Sequence, residues 1–300
     1  MPPWIRIRVE SSPIEWPNGS KWLSPKLEFI AARHLQSADA RFVELSGLDW
    51  DPRKGAFLAV SDRGYRLQLT PKFDPHGMLL GIEPEVLVAS LPAPSFLGQF
   101  FSRAPDTEGV TIDPTHGRYW ISIEGEHRIE LYDQNWNRAG TLNPLDSRQA
   151  PKNDGLEAIT NLRDGRILTI TENFREAGGI VGYVGTENQW NRFIYPSFQN
   201  FQPTGLTCLN DGGVVLLERF YSKKKGNFVR LARLSAAHIE KNQFAKWEEV
   251  AIFGPPLPLD NFEGIASIPG NQNYEDIYLI SDDNGNSSQK TLLYQFRYWY

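Results

Sequence analysis

The sequence predicts an all-β fold, a single β-propeller, from three observations: a five-fold internal repeat, an excess of turn formers and aromatics, and a near absence of helical periodicity. Five segments share one grammar. Each has an acidic or small residue, then Gly or Ala, a short apolar strand, a turn, a second apolar strand and a closing acid. They begin at Ser46-Gly47, Glu108-Gly109, Glu157-Ala158, Thr204-Gly205 and Glu263-Gly264. Their second strands end at Asp62, Glu124, Glu172, Glu218 and Asp282-Asp283. The small residues are spaced 62, 49, 47 and 59 positions apart, a period that suits propeller blades. The repeats count five blades, and the two long spacings leave room for a sixth. The 25 Gly and 21 Pro supply turns, and Trp, Tyr and Phe favour strands.

The elements follow in chain order. Residues 1–25 form an N-terminal extension packed on the propeller, and residues 26–300 are the propeller itself. Lys26–His34 reads as a strand, and because the last repeat has only three strands, it is the natural outer strand to close the ring. The first repeat turns at Asp51-Pro-Arg-Lys-Gly55, where Gly tolerates a positive φ. The second is the most complete, with strands Gly109–Asp113, Arg118–Glu124 and Arg128–Tyr132 around the turn Pro114-Thr-His-Gly117. The third and fourth turn at Arg163-Asp-Gly165 and Asn210-Asp-Gly-Gly213. Ser235–Ala245 is the best helical pattern, a short helix before a last strand at Trp247–Phe253.

Composition excludes several functions. Net charge is −5, opposite in sign to that expected of a nucleic-acid binder. No apolar run approaches the ~20 residues of a membrane helix. One cysteine, Cys208, excludes an intrachain disulfide and a thiolate cluster, and its apolar neighbours mark it as a buried structural thiol. The five histidines are scattered, with only His127 near a strand end of interest, and no Gly-x-Ser-x-Gly elbow is present. Ser61 and Ser281 lack a nearby histidine base.

In a blade, strand one begins and strand two ends at the same mouth of the central channel. That rule gathers Glu108, Glu157 and Glu263 with Asp62, Glu124, Glu172, Glu218, Asp282 and Asp283. Converging carboxylates must be protonated, paired or metal-bound. Hard oxygen ligands without Cys or clustered His favour Ca²⁺. Glu108, Glu157, Glu172, Glu263 and Asp282 are the expected cation ligands, and Glu108, Glu157, Glu263 and Asp62 the catalytic acids. Arg63, Arg128, Arg175, Arg219 and Lys290 are the expected grips for an anionic substrate. Each acid could equally cap a turn. Glu44 before Ser46-Gly47, and Thr204, depart from the glutamate pattern, so the ring is not symmetric.

The motifs Leu45-Ser-Gly-Leu-Asp-Trp-Asp-Pro52, Ala59-Val-Ser-Asp-Arg-Gly64, Asp154-Gly-Leu-Glu-Ala158, Leu217-Glu-Arg-Phe220, Asn261-Phe-Glu-Gly-Ile-Ala266 and Leu279-Ile-Ser-Asp-Asp-Asn284, in that order, resemble the phytase-like family described as having esterase-like activity. The resemblance spans roughly residues 26–300. It implies a propeller of hydrolase type, of a kind often exported in bacteria. The Asp-Asp-Pro-Ala-Ile-Trp motif of calcium-dependent alkaline phytases is absent, which argues against phytate as substrate.

The resulting expectation is a calcium-assisted hydrolase of a small phosphate or carboxylic ester, monomeric, working at one channel mouth. The alternative is a non-catalytic propeller that binds a small ligand or a protein partner there. The expected location is periplasmic or extracellular if a signal peptide has been removed, and cytoplasmic otherwise.

Overall fold

The computed structural model describes residues 2–17, 19–92, 105–113, 115–144, 146–187 and 189–300. Pro114, which the sequence places in the turn of the second repeat, lies outside the described residues. The chain opens with four strands: β1 (Ile5–Arg8), β2 (Glu10–Pro13), β3 (Trp22–Ser24) and β4 (Leu27–Gln36). The first blade comprises β5 (Leu45–Asp51), β6 (Ala56–Ser61), β7 (Tyr65–Leu69) and, after the small hairpin β8 (Pro71–Phe73) and β9 (Leu79–Ile82), β10 (Glu85–Ser90). Blade two is β11 (Thr107–Asp113), β12 (Arg118–Ile123), β13 (Arg128–Tyr132) and β14 (Arg138–Leu142). Blade three is β15 (Leu156–Asn161), β16 (Ile167–Glu176), β17 (Gly179–Thr186) and β18 (Gln189–Tyr195). Blade four is β19 (Gln202–Cys208), β20 (Val214–Ser222), β21 (Gly226–Leu234) and β22 (Glu248–Phe253), with helix α1 (Ala236–Glu240) between the last two. The fifth takes β23 (Asn261–Asn271), β24 (Tyr274–Asp282) and β25 (Thr291–Trp299).

The ring closes as the repeat count requires. Strand β4 pairs antiparallel with β25, from Leu35 opposite Thr291 to Leu27 opposite Tyr298, and becomes the outer strand of blade five. Five blades result, and the long first spacing is taken up by the β8–β9 hairpin rather than by a sixth blade. Beyond the closing strand, β1 pairs with β10 on the outer edge of blade one, and β2 pairs with β4 on that of blade five. Only Val9 separates these two strands, so one short segment bridges the blades on either side of the seam. Just before β1, Trp4 joins Trp136, from the turn between β13 and β14, in flanking the buried Arg66 guanidinium, at 4.6 and 4.5 Å, where it donates to the Ser90 carbonyl.

The core lies between blades. Alternate residues of neighbouring sheets interlock, as with Leu48, Phe57, Leu67, Tyr278 and Ile280 between blades five and one. Around the axis the inner strands β5, β11, β15, β19 and β23 come too close for ordinary side chains. A Cβ at Gly109 would lie 2.4 Å from the Glu157 carbonyl oxygen, one at Gly47 2.7 Å from that of Glu108, and one at Gly205 2.7 Å from that of Glu263. At the closing seam a Cβ on Gly264 would meet Leu48 at 2.8 Å. The space left on the axis is only about 10 Å³. The small residue in each repeat is therefore a packing requirement of the ring.

This generates a stability prediction. Gly109→Ala forces backbone against backbone and should cost about 1–3 kcal/mol, as overpacking does. Gly140→Ala, where the nearest atom would be Leu131 Cδ2 at 3.9 Å, should be near neutral. Urea unfolding of the two variants checks the contrast, and equal midpoints would contradict it.

Candidate active site

Every inner strand breaks register near its start, between Leu45 and Gly47, Thr107 and Val110, Leu156 and Ala158, Pro203 and Gly205, and Phe262 and Gly264. A β-bulge re-aims the side chain it carries. Glu157, Glu263, Ser46 and Thr204 fall within the break itself, and Glu108 falls within the wider break of blade two. Ser46 and Thr204 donate their hydroxyls to the next blade, at the Thr107 and Phe262 carbonyls. The three glutamates are more than nine-tenths buried. Among the described residues, no hydrogen bond reaches the carboxylates of Glu108 or Glu157. Glu263 accepts from Asn261 Nδ2 at 2.7 Å.

A second ring comes from the ends of the second strands, one residue beyond the partner of the bulge. Here stand Asp62, Glu124, Glu172, Arg219 and Asp282. In blade four the register puts Glu218 opposite Pro203 and Arg219 opposite Gln202, so the sequence alignment of Glu218 with the other acids is one residue out. Alternation turns Glu218 away from the mouth, into a buried cluster with Arg230 and, through Arg230, with the Tyr195 hydroxyl. Arg219 takes the fifth place instead. Its Nη2 lies 3.3 Å from Glu172 Oε1 and 3.4 Å from Glu263 Oε1.

Three groups of carboxylates could each share one ion: Asp62, Glu263 and Asp282; Asp62, Asp106 and Glu108; and Glu108, Glu124 and Glu157. Within each, one ligand oxygen per residue lies within 4.8 Å of the others. Asp106, just before β11, is a member that the repeat grammar does not reveal. The charges raise one another. Burial, then Glu157 and Asp62, lifts Glu108 well above the usual carboxylate range, and burial, then Glu172 and Glu263, does the same to Glu157. Glu263 is lifted by burial against the opposing pull of Arg219. Burial and Asp282 push Asp62 up to about 8, burial and Asp106 push Glu124 to about 7, and burial raises Asp282 to about 6. Asp62 Oδ1 is buried with no partner.

The remaining predicted groups are placed apart from this cluster. Arg63 is half exposed on the rim and forks onto Glu44 at 2.8 Å for both bonds. Arg128 is buried within blade two, held by Glu130 and Glu126. Arg175 donates to Asn173 and Ser197. Lys290 gives its backbone N–H to Asp260 and lines a surface cavity with His34. Asp283 caps its own loop, accepting from the Glu44 and Gly285 N–H groups and from Thr291. The Ser61 and Ser281 hydroxyls donate to the Val43 and Lys290 carbonyls. His127 is buried with a left-handed φ of 49°, and its Nδ1 fills the space that a Cβ on Gly155 would need.

A cavity of about 640 Å³ opens at the other end of the channel. Its carboxylates are committed there: Asp49 accepts from the Ile112 and Trp50 N–H groups and the Thr111 hydroxyl, and Asp113 from Thr115 and His116. Cys208 lines this cavity, partly rather than fully buried, with its thiol pushed up to about 12 by burial. Among the described residues, it is the acidic mouth that holds Glu108 and Glu157, whose carboxylates accept no hydrogen bond, and the unpartnered Asp62 Oδ1.

A family model described as "Phytase-like: Esterase-like activity of phytase" matches residues 40–285. The chain belongs to the phytase-like family. The matched residues include the strands that carry both acidic rings, from Ser46-Gly47 to Asp282. Among solved structures, a luciferin-regenerating enzyme is similar over 87% of this chain and 94% of its own, at 10% identity and a TM-score of 0.46. A structural-genomics protein of unknown function from Bacteroides thetaiotaomicron is similar over 98% of this chain and 76% of its own, at 10% identity and a TM-score of 0.49. No curated protein matches the sequence. Among the described residues, no helix is long and apolar enough to cross a membrane.

Two predictions follow from the rings of this phytase-like propeller. Acids whose folded pKa lies above the unfolded value stabilise relatively at low pH, and that contribution is lost as pH rises from the unfolded range near 4 through the folded values of about 6 to 8. Without divalent cations the protein should therefore lose stability between pH 5 and 8. Glu157→Gln should flatten that slope and stabilise the protein by about 1–3 kcal/mol at pH 8. Thermal melts in chelator across this range decide it, and a steeper slope in the variant would count against the ring. By contrast Glu218→Gln, which strips Arg230 of its buried partner, should cost about 3–5 kcal/mol. Denaturant unfolding measures this, and a loss under 1 kcal/mol would show the pair to be dispensable.

Proposed function

We propose that the acidic mouth is a cation-assisted hydrolase site for a small anionic ester, a phosphate ester first and a carboxylic ester second. The observation that carries this reading is the pair of buried, unbonded carboxylates at Glu108 and Glu157 beside the unpartnered Asp62 Oδ1. Burying the Glu108 and Glu157 carboxylates among five further acids around a narrow channel, with no hydrogen bond to either, is costly unless a ligand completes them. The family's description as esterase-like supports hydrolysis as the reaction.

The donor set suits a hard divalent cation, and calcium best, because all its members are carboxylate oxygens and none is Cys or His. Glu108 with Glu157, and Glu263 with Asp282, fall in two of the groups that would each hold such a cation, and Glu172 is a further expected ligand. When bound, such a cation supplies Lewis acidity, polarising an ester oxygen and acidifying water. The chain's own groups do the rest. Bulged glutamates sit on rigid inner strands, so their carboxylates are fixed before the ligand arrives. With the cation on Glu108, Glu124 and Glu157, Asp62 would be the carboxylate left to accept a proton from the attacking water. Arg219 faces the anion's charge, while Arg63 stays forked onto Glu44 at the rim, and the narrow axis behind the glutamates keeps the substrate at the mouth.

Assay of the purified protein against phosphomonoesters and carboxylic esters, with calcium and with chelator, tests the proposal. Calcium-dependent turnover is expected, with Glu108→Gln and Glu263→Gln each lowering kcat/KM by about 100-fold or more. Absence of turnover on both classes, together with ligand binding unchanged in those variants, would replace the hydrolase with a binding propeller.

A further inference from the structure

Arg219 stands out because it fills a position that is acidic in the other four blades. It is the one cation in a ring of Asp62, Glu124, Glu172 and Asp282. Burial works against its charge, yet Glu263, Glu172 and Glu157 together hold it charged. Its Nη2 is shared between Glu172 and Glu263, and its buried Nε has no partner. An arginine engaged in this way has little to offer an incoming anion. A phosphate entering the mouth without a cation would also face three buried glutamates at close range.

We infer that Arg219 is an internal counter-ion that gates the site, so that a divalent cation must bind before an anionic substrate can. Glu263 belongs with Asp62 and Asp282 to a group that could share one ion, and both partners of the guanidinium, Glu172 and Glu263, are expected cation ligands. A cation that takes their oxygens removes the partners of Arg219 and leaves its fork, with the free Nε, for the oxygens of a phosphate group. Cation and anion then bind with positive coupling, and linkage makes that coupling equal in both directions. This ordering rests on the cation-assisted reading of the same mouth and adds to it the order of binding and the residue that enforces it.

Arg219 is thus a positioning residue whose role is read by binding. Calorimetry on the full chain, with calcium and inorganic phosphate kept below the solubility of their salt, makes the test. Calcium should tighten phosphate binding about tenfold or more, and phosphate should tighten calcium by the same factor. In Arg219→Met, which keeps the aliphatic stem, calcium alone should bind about threefold or more tighter because the competing cation is gone. The coupling should fall below about twofold. Phosphate binding equally well with and without calcium in the unaltered protein would overturn the gate while leaving the cation site standing, and needs no variant to fold. Coupling retained in a folded Arg219→Met would also overturn it. No calcium binding to the unaltered protein would sink the hydrolase reading and the gate together.

Discussion

The structure depends on how closely five inner strands approach a common axis. At Gly47, Gly109, Gly205 and Gly264 a Cβ would collide with the backbone or side chains of a neighbouring blade, and Ala158 takes the same register place in blade three. Close approach leaves no room for side chains inside the ring at that level. The residue just before each small one is displaced from the ladder, and its side chain has one direction open to it, toward the mouth. Where that residue is glutamate, a packing constraint becomes an electrostatic one: Glu108, Glu157 and Glu263 are driven together because the blades are.

Such a cluster would not persist without compensation. Part comes from inside the protein. Arg219 draws on Glu172 and Glu263, Asn261 donates to Glu263 and, at 3.4 Å, to Asp282, and the Asn284 N–H caps Asp282 at 2.6 Å. Glu108 and Glu157 receive no such help among the described residues, and their raised pKa values express the cost. The buried ion clusters within the blades are the opposite case: Glu130 has Arg128 two residues along its own strand, and Glu218 has Arg230 across the ladder. The structural acids thus each hold an arginine, whereas Glu108 and Glu157 at the mouth accept no hydrogen bond among the described residues. That contrast is the strongest physical argument that the mouth is a ligand site.

Much of this was legible in the sequence. The repeats fixed on Gly47, Gly109, Ala158, Gly205 and Gly264 predicted the blades, and the missing strand of the last repeat predicted the pairing of Leu27–Gln36 with Thr291–Trp299. The convergence of Glu108, Glu157 and Glu263 with Asp62, Glu124, Glu172 and Asp282 followed from strand direction alone. Blade four escaped because Leu217-Glu218-Arg219 offers two charged residues, and a one-residue shift in a strand exchanges its faces. Only the pairing of Glu218 with Pro203 and Arg230 decides which one reaches the mouth. Arg128 looked like an anion grip because it follows a strand end, but it is held by Glu130, two residues along the same strand and so on the same face, a spacing that the sequence did offer. Asp106 precedes the repeat motif and carries no pattern of its own.

The central claim is that the unsatisfied carboxylates are the ligands of a hard cation. A crystal structure determined with calcium in the crystallisation solution tests it most directly. The account predicts density within about 2.3–2.6 Å of oxygens from at least two of Glu108, Glu157 and Glu263. It is contradicted if the mouth holds no cation and those carboxylates pair with one another through shared protons.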